Sequence, residues 1–360
     1  MKATITKIIL LFTTFFLVSA CCNEENIYIT PEDTEGRVNV YIEGDITNAE
    51  AAEQLKNEVG TLTQNIYVQH TTQLTEIDIK IVKDLKYILI DNNNSLKKTT
   101  IEGGGETFVN VIKIEKNNSL TEVFIEKIKN TNFIIYKGTD KQQTEKLICN
   151  DLENIYVSLD FSTHINNNNI LQFNHLKTIG TRANSYIIEN YWQNNETYIG
   201  GKFSMAAFPK LEEIKYFSIC SYNADTIGDT PMIIDTLRFP QLKSIETFKS
   251  EPFFTVNTLN LPKLEYCKNF YIRGVGNDYI SPGTYENPTI NFPVLSYCEN
   301  FTMMFNHSSA EKINNYLHQF LTIQPINSKI LYFEQESFPT GQGVLDQQTL
   351  INQGNTIEFY

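Results

Sequence analysis

A ten-residue pattern that recurs through the second half of the chain constrains the fold more than any other feature. Thr236-Leu237-Arg238-Phe239-Pro240-Gln241-Leu242-Lys243-Ser244-Ile245 is echoed by Thr258-Leu259-Asn260-Leu261-Pro262-Lys263-Leu264-Glu265-Tyr266-Cys267. Thr289-Ile290-Asn291-Phe292-Pro293-Val294-Leu295-Ser296-Tyr297-Cys298 repeats it, and Phe173 to Ile179 and Phe208 to Ile214 are shorter copies. Alternating pairs follow, as in Phe217 and Ile219, Phe270 and Ile272, and Phe301 and Met303. Leu237 and Phe239 share one face of a strand, and Pro240, which cannot donate to a sheet ladder, ends it. Leu242 and Ile245 then suit a tight corner with inward side chains, and the alternating pair opens a second inward-facing strand. One such unit cannot bury its apolar stripe alone, so neighbours must stack on it. The spacing predicts a β-rich solenoid with parallel sheets on its faces.

Composition agrees with this architecture. Apolar residues make up 41% of the 360, with 23 Phe and 19 Tyr, and β-branched and aromatic types dominate the apolar runs, which favours strands. In the first half Ile77/Ile79/Ile81, Tyr87/Leu89, Val111/Ile114, Val123/Ile125, Phe133/Ile135 and Ile155/Val157/Leu159 are strand-like, without the Phe-Pro-x-Leu corner. Asn runs such as 92–94 and 166–169 fall between strands and read as turns, because Asn tolerates left-handed backbone angles. Val38, Tyr41 and Ile46 suggest a first strand. Asn48 then precedes a helix over 49–59 with Ala52, Leu55 and Val59 on one face, read as an N-terminal cap. Ser308 with Glu311 forms a candidate capping box for a closing helix carrying Ile313, Leu317 and Phe320. Residues 324–360 read as a tail with a strand at 329–333, a loop at 339–343, a short helix near 346–352 and a strand at 356–359.

Charge excludes one class of partner. The chain carries −13 and has four Arg, so it lacks the clustered cations that phosphate neutralisation needs, and no nucleic acid is expected. The sequence contains no Gly-x-Ser-x-Gly, His-Glu-x-x-His or Gly-Lys-Ser/Thr pattern, and its five His form no recognisable set. Asn223, Asp225 and Asp229 read as solvated turn residues rather than a calcium loop. No cofactor or metal is expected, and the reading is of a protein that is not an enzyme. Cys267 and Cys298 occupy the slot that Ile214 and Ile245 fill in sister units, as small buried hydrophobes in place of a required disulfide.

The interval between a unit's second strand and the next unit's first varies. It is 18 residues from Ile188 to Ala206, from Ile219 to Leu237 and from Ile272 to Ile290, but 9 from Ser250 to Leu259. Insertions in one slot of a solenoid collect on one edge, and such edges are often binding faces. This edge would carry Tyr191, Trp192, Asn194, Tyr198, Tyr222, Asp225, Asn277, Tyr279 and Tyr285. Flat rings beside amides and carboxylates suit an extracellular glycan or protein ligand.

The N-terminus supplies an address. Lys2 and Lys7 precede an apolar run, residues 8–18, too short to span a bilayer. Val18-Ser19-Ala20-Cys21 resembles the bacterial lipobox, which implies cleavage after residue 20 and acylation of Cys21 as a membrane anchor, since about 0.8 kcal/mol per buried methylene makes two or more chains a stable attachment. Glu24 and Glu25 resemble the acidic signal of Bacteroidetes lipoproteins that face outward from the outer membrane. The repeat itself resembles leucine-rich-repeat proteins, most closely surface members with irregular, receptor L domain-like rungs. That resemblance implies a signal peptide at 1–20, a lipidated tether at 21–35, a solenoid at 36–323 with a short capping helix at each end, and the tail at 324–360. It implies surface binding or adhesion. The strict Leu-x-x-Leu-x-Leu frame with its Asn or Cys ladder is not found, so a generic parallel β-helix is the alternative fold. A glycan-active β-helix enzyme, for which Arg182, Arg238 and Arg273 would supply cations, and a structural envelope protein are the alternative functions.

Overall fold

A computed structural model of the chain describes residues 35–137, 145–162, 170–180, 196–200, 208–219, 232–250, 254–273, 289–304, 307–334 and 336–360. One long sheet contains β1 (Asn39–Gly44), β2 (Asn65–Thr71), β4 (Leu85–Asp91), β6 (Phe108–Glu115), β8 (Asn130–Lys137), β10 (Asn154–Ser162) and β12 (Thr178–Ile179). It continues through β14 (Glu213–Ile219), β16 (Ser244–Ser250), β18 (Tyr266–Arg273), β20 (Asn300–Met304), β21 (Ile330–Glu334) and β22 (Thr356–Phe359), with β13 (Glu196–Gly200) seated between β10 and β14. A second layer holds β3 (Glu76–Lys80), β5 (Lys98–Glu102), β7 (Glu122–Glu126), β9 (Lys146–Ile148) and β11 (Ile170–Gln172) in one sheet. A further sheet holds β15 (Met232–Arg238), β17 (Phe254–Asn260) and β19 (Thr289–Asn291). Neighbouring strands are parallel throughout, from β1 on β2 to β21 on β22. This is the β-rich solenoid that the repeat predicts.

In-register pairing makes columns of inward side chains. Val40, Ile66, Ile88, Ile112 and Ile134 are register partners in succession and at most 1% exposed. Farther along, Phe217, Phe248, Phe270 and Phe301 stack at centroid separations of 5.4, 5.1 and 5.4 Å. Each such ring, once buried, contributes roughly 1.5–3 kcal/mol. Leu211, Leu242, Leu264 and Leu295 of the repeated corner are all buried, and Pro209, Pro240, Pro262 and Pro293 stand in its turns.

Several local readings need correction. In β1 the buried residues are Val40 and Ile42, while Val38 and Tyr41 are exposed; in β4 Ile88 and Ile90 face the core, not Tyr87 and Leu89. In both strands aromatic and aliphatic side chains occupy both faces, so alternation alone does not choose between them. The first helix, α1 (Asn48–Glu58), is capped by Thr47 in a capping box with Glu50, and it buries Ala51 rather than Ala52. The second, α2 (Ala310–Phe320), is capped by Ser309, one residue after the expected cap, because Ser308 is buried and its amide donates to Glu336 Oε2. A third helix, α3 (Gln342–Asn352), precedes β22. Each links two long-sheet strands in the place of a second-layer strand, α1 before β3 at the N-terminal end of that layer and α2 and α3 after β19 at its C-terminal end. Asn48 ties α1 to that layer, its Oδ1 accepting from the Thr75 and Glu76 amides. β21 pairs in register with β20 and β22 with β21, so the segment read as a tail extends the same sheet.

An asparagine ladder, not found by sequence reading, stands inside the first half. Asn93 Oδ1 accepts from the Thr71 amide at 3.1 Å and from its hydroxyl at 2.8 Å. On the next rung Asn117 Oδ1 plays the same role, accepting from the amide and side chain of Asn93 at 2.9 and 3.0 Å. The side-chain nitrogens of Asn93 and Asn117 donate to the carbonyls of Val68 and Ile90. Both residues are at most 1% exposed. The residue before each rung of the ladder, His70, Asn92 and Lys116, has φ of 54°, 55° and 53°. This left-handed corner turns the chain and points the next side chain inward. Leu74, Leu96 and Leu120 follow at one spacing and are fully buried.

Replacing Asn93 with Ala strands the Thr71 amide and the Val68 carbonyl in the interior. Denaturant unfolding should show a loss of about 2–4 kcal/mol. Asn94→Ala, on an exposed neighbour, should cost under about 0.5 kcal/mol; equal costs would remove the ladder's structural role.

Candidate functional site

The two corners of the rung behave differently. Corners leading from second layer to long sheet share one length at 149–153, 173–177, 239–243 and 261–265, and are 81–84, 103–107 and 127–129 in the first half and 292–299 before β20. Connections leaving the C-terminal ends of long-sheet strands vary more widely. They range from 251–253 after β16, through 163–169 after β10, to 220–231 after β14 and 274–288 after β18. Because those strands are parallel and in register, their C-terminal ends line one edge.

Tyr191, Trp192, Asn194, Tyr222, Asp225, Asn277, Tyr279 and Tyr285, assigned to this edge from sequence, lie outside the described residues, as does Cys21. Tyr198 is in β13, where its backbone pairs with Asp160 of β10 and Ser218 of β14. That register sets its backbone in one row with Asp160, Ile135 and Lys113, and the side chains of these three lie on the outward face of the long sheet.

Around this row the outward face is unusually shielded. Val111 is 2% and Ile135 5% exposed although both point away from the solenoid core. Lys137 Nζ lies 3.2 Å from Asp160 Oδ2, and Lys113 Nζ lies 2.7 Å from Glu115 Oε1, with Lys116 at 3.9 Å from the same oxygen. Burial pushes the Asp160 carboxyl up, the nearby Glu115 charge adds to this, and Lys137 opposes it. The arrangement offers cations and carboxylates beside an apolar floor, a surface able to exchange hydrogen bonds with hydroxyl or peptide groups while excluding some water. Sequence reading missed it because β6, β8 and β10 bring the four charges together only by stacking. Their signal is charge at the outward positions of Ile112-Lys113-Ile114-Glu115, Tyr136-Lys137 and Leu159-Asp160. Farther toward the N-terminus the same face carries Tyr41 and Tyr67, stacked at 4.9 Å, and Tyr87 tilted at 6.0 Å from Tyr67.

Among the described residues no group of three or more His, Cys, Asp or Glu is arranged to hold a metal ion, and no helix is long and apolar enough to cross a membrane. Cys267 and Cys298 are free and buried in the column that begins with Ile214 and Ile245. Cys149 is free and buried at the corner position that Phe239 and Phe292 fill elsewhere. Its surroundings, Leu147 to Ile155, are a sixth copy of the corner with Asn150 in the proline's place.

Burial raises all three thiols, Cys298 to about 12. Since the thiolate is the reactive form, iodoacetamide at pH 8 should leave Cys149, Cys267 and Cys298 unmodified in the folded protein and label them after denaturation, as read by peptide mass spectrometry. Labelling of any of the three in the native state would contradict this placement. No protein-family model, curated protein or solved structure matches the chain.

Proposed function

We propose that the chain is an exported, lipid-anchored surface protein that binds an extracellular glycan or protein through the edge where its variable connections leave the long sheet. The observation that carries this reading is a contrast between corners from β9 onward: those entering the long sheet at 149–153, 173–177, 239–243 and 261–265 share one length, while connections leaving it run from residues 251–253 to residues 274–288. Length variation confined to one edge of a rigid scaffold is how solenoids accommodate recognition without disturbing their core. Those connections include Tyr222, Tyr279 and Tyr285, rings suited to stack on sugars or to anchor a protein contact, while Tyr191 and Trp192 belong to 180–195, which joins β12 to β13 within the long sheet.

The leader supports the address. Its lipobox-like Val18-Ser19-Ala20-Cys21 supplies an acylation site, and Glu24 and Glu25 match the outward-facing signal of Bacteroidetes lipoproteins. With Cys21 acylated, residues 22–35 tether the solenoid to the outer membrane, and the irregular rungs fit a leucine-rich-repeat or receptor L domain-like module.

Two outcomes test the proposal. Cys21→Ala should abolish incorporation of labelled palmitate in the native host while Cys22→Ala retains it; the reverse pattern would reassign the anchor. In glycan-array or pull-down binding, Trp192→Ala combined with Tyr279→Ala should weaken capture at least about tenfold, and undiminished capture would remove the loop edge as the binding surface.

A further inference from the structure

The two ends of the solenoid differ in a way that its rungs do not require. Seven of the eleven exposed large hydrophobic side chains among the described residues lie between 324 and 360. Residues 337–355 contain a single charge, Asp346, in a chain where 20% of residues are charged. Asp346 is 4% exposed and faces α2, its carboxylate 3.0 Å from His318 Nδ1 and 2.8 Å from Gln342 Nε2. Gly343, which also faces α2, sits so close to it that a Cβ would lie 1.9 Å from Asn314 Oδ1.

The opposite face of α3, turned away from α2 and toward the free end, carries Val344 at 48%, Leu345 at 61% and Ile351 at 42% exposure, with Gln348 and Asn352 between them. Phe338, 68% exposed, packs on Phe359 of β22 at 5.6 Å between centroids and extends the apolar surface to that strand. Among the described residues β22 pairs with β21 alone, so its other edge presents backbone amides and carbonyls next to this surface. Proteins ordinarily guard such edges with charge. The N-terminal end is guarded in that way, for α1 exposes Glu50, Glu53 and Lys56.

We propose that the C-terminal end is an interface on which a second copy of this chain docks about a two-fold axis, α3 against α3 and β22 beside β22. The charge distribution selects this occupant. Two copies at −13 each repel over most of their surface, and an isologous interface sets every residue of a patch against the same patch, so it must be free of like charges. The exposed face of α3 meets that condition, and the one charge of β22, Glu358, lies in the outward row of the long sheet with Tyr332 and not among the core-facing Ile357 and Phe359. Head-to-tail stacking would instead set it against the charged face of α1 and leave Glu50, Glu53 and Lys56 desolvated without partners. A two-fold also lets β22 pair antiparallel with its copy and closes the exposed edge.

Sedimentation of the intact purified chain at up to about 100 µM, where even a Kd near 10 µM is visible, should give twice the 41.4 kDa chain mass. Leu345→Glu should raise the dissociation constant at least about tenfold, with an unchanged thermal unfolding curve because the side chain is largely exposed. Ala52→Glu, on the exposed face of α1, should leave the dimer intact. A monomer at all concentrations, association indifferent to Leu345→Glu as expected for contacts through the apolar leader, or open-ended polymers sensitive to Ala52→Glu would each overturn the proposal.

Discussion

Parallel, in-register backbone hydrogen bonding is the constraint from which the other features of this protein follow. Strands that do not reverse, and that shift register only between Glu43 and Gly44 and between Ile155 and Ser158 among the described pairs, place most residues directly over their counterparts, about 4.8 Å away. Any side chain selected at one rung must therefore tolerate its like on the next. Phenylalanine does, and Phe217, Phe248, Phe270 and Phe301 form a continuous stack. Tyr266 over Tyr297, at 4.9 Å, shows the same on the surface.

Like charges repel at this spacing, and although Asp91 pairs with Glu115 and Glu102 with Glu126, one corner responds by alternation. Backbone amides and carbonyls link Lys129, Glu153, Lys177, Glu212, Lys243 and Glu265 rung by rung along one corner. Like charges at this spacing would repel by about 0.9 kcal/mol even in water. Instead Lys177 Nζ lies 2.6 Å from Glu153 and Lys243 Nζ 2.8 Å from Glu212, and hydrogen bonds from these lysines hold both carboxyls below the usual glutamate range. Such exposed pairs add little stability singly. Their value is in register, because a one-rung slip would set lysine on lysine. Amides can act as donor and acceptor at once, so Asn93 and Asn117 repeat without alternation inside the core, where a charge would be costly. Lys329, Glu336 and Asp346 are nonetheless buried; Lys329 is fully so, and its ammonium donates to the carbonyls of Ile323, Pro325 and Ile326 where the chain leaves α2.

Legibility in the sequence followed the same physics. The second half could be read because proline marks its corner and Leu242, Leu264 and Leu295 keep one distance from it. The first half was harder. Its corner at Thr71, Asn93 and Asn117 is made by left-handed residues of three different types, His70, Asn92 and Lys116, and only the leucines at 74, 96 and 120 betray the period. Strand faces were misread where both carry apolar side chains, as in Tyr41 against Ile42 and Leu89 against Ile90. The charged cluster of Lys113, Glu115, Lys137 and Asp160 was out of reach because its members come from three rungs and meet only when those rungs stack. Of the ring-bearing edge residues picked from sequence, Tyr198 is the one within the described strands, and it falls in the same row as Asp160.

Over its second half the scaffold divides its labour by corner: the one entering the long sheet holds register through proline and buried leucine, and the one leaving it is released to vary. Thermal unfolding of chains carrying an eight-residue Gly-Ser insertion tests that division most directly. Insertion after Asn277 should move the midpoint by no more than about 2 °C, since lengthening a surface connection costs little, while insertion after Gln241 should lower it by more than about 10 °C as the rung loses register. Equal shifts at the two corners would contradict it.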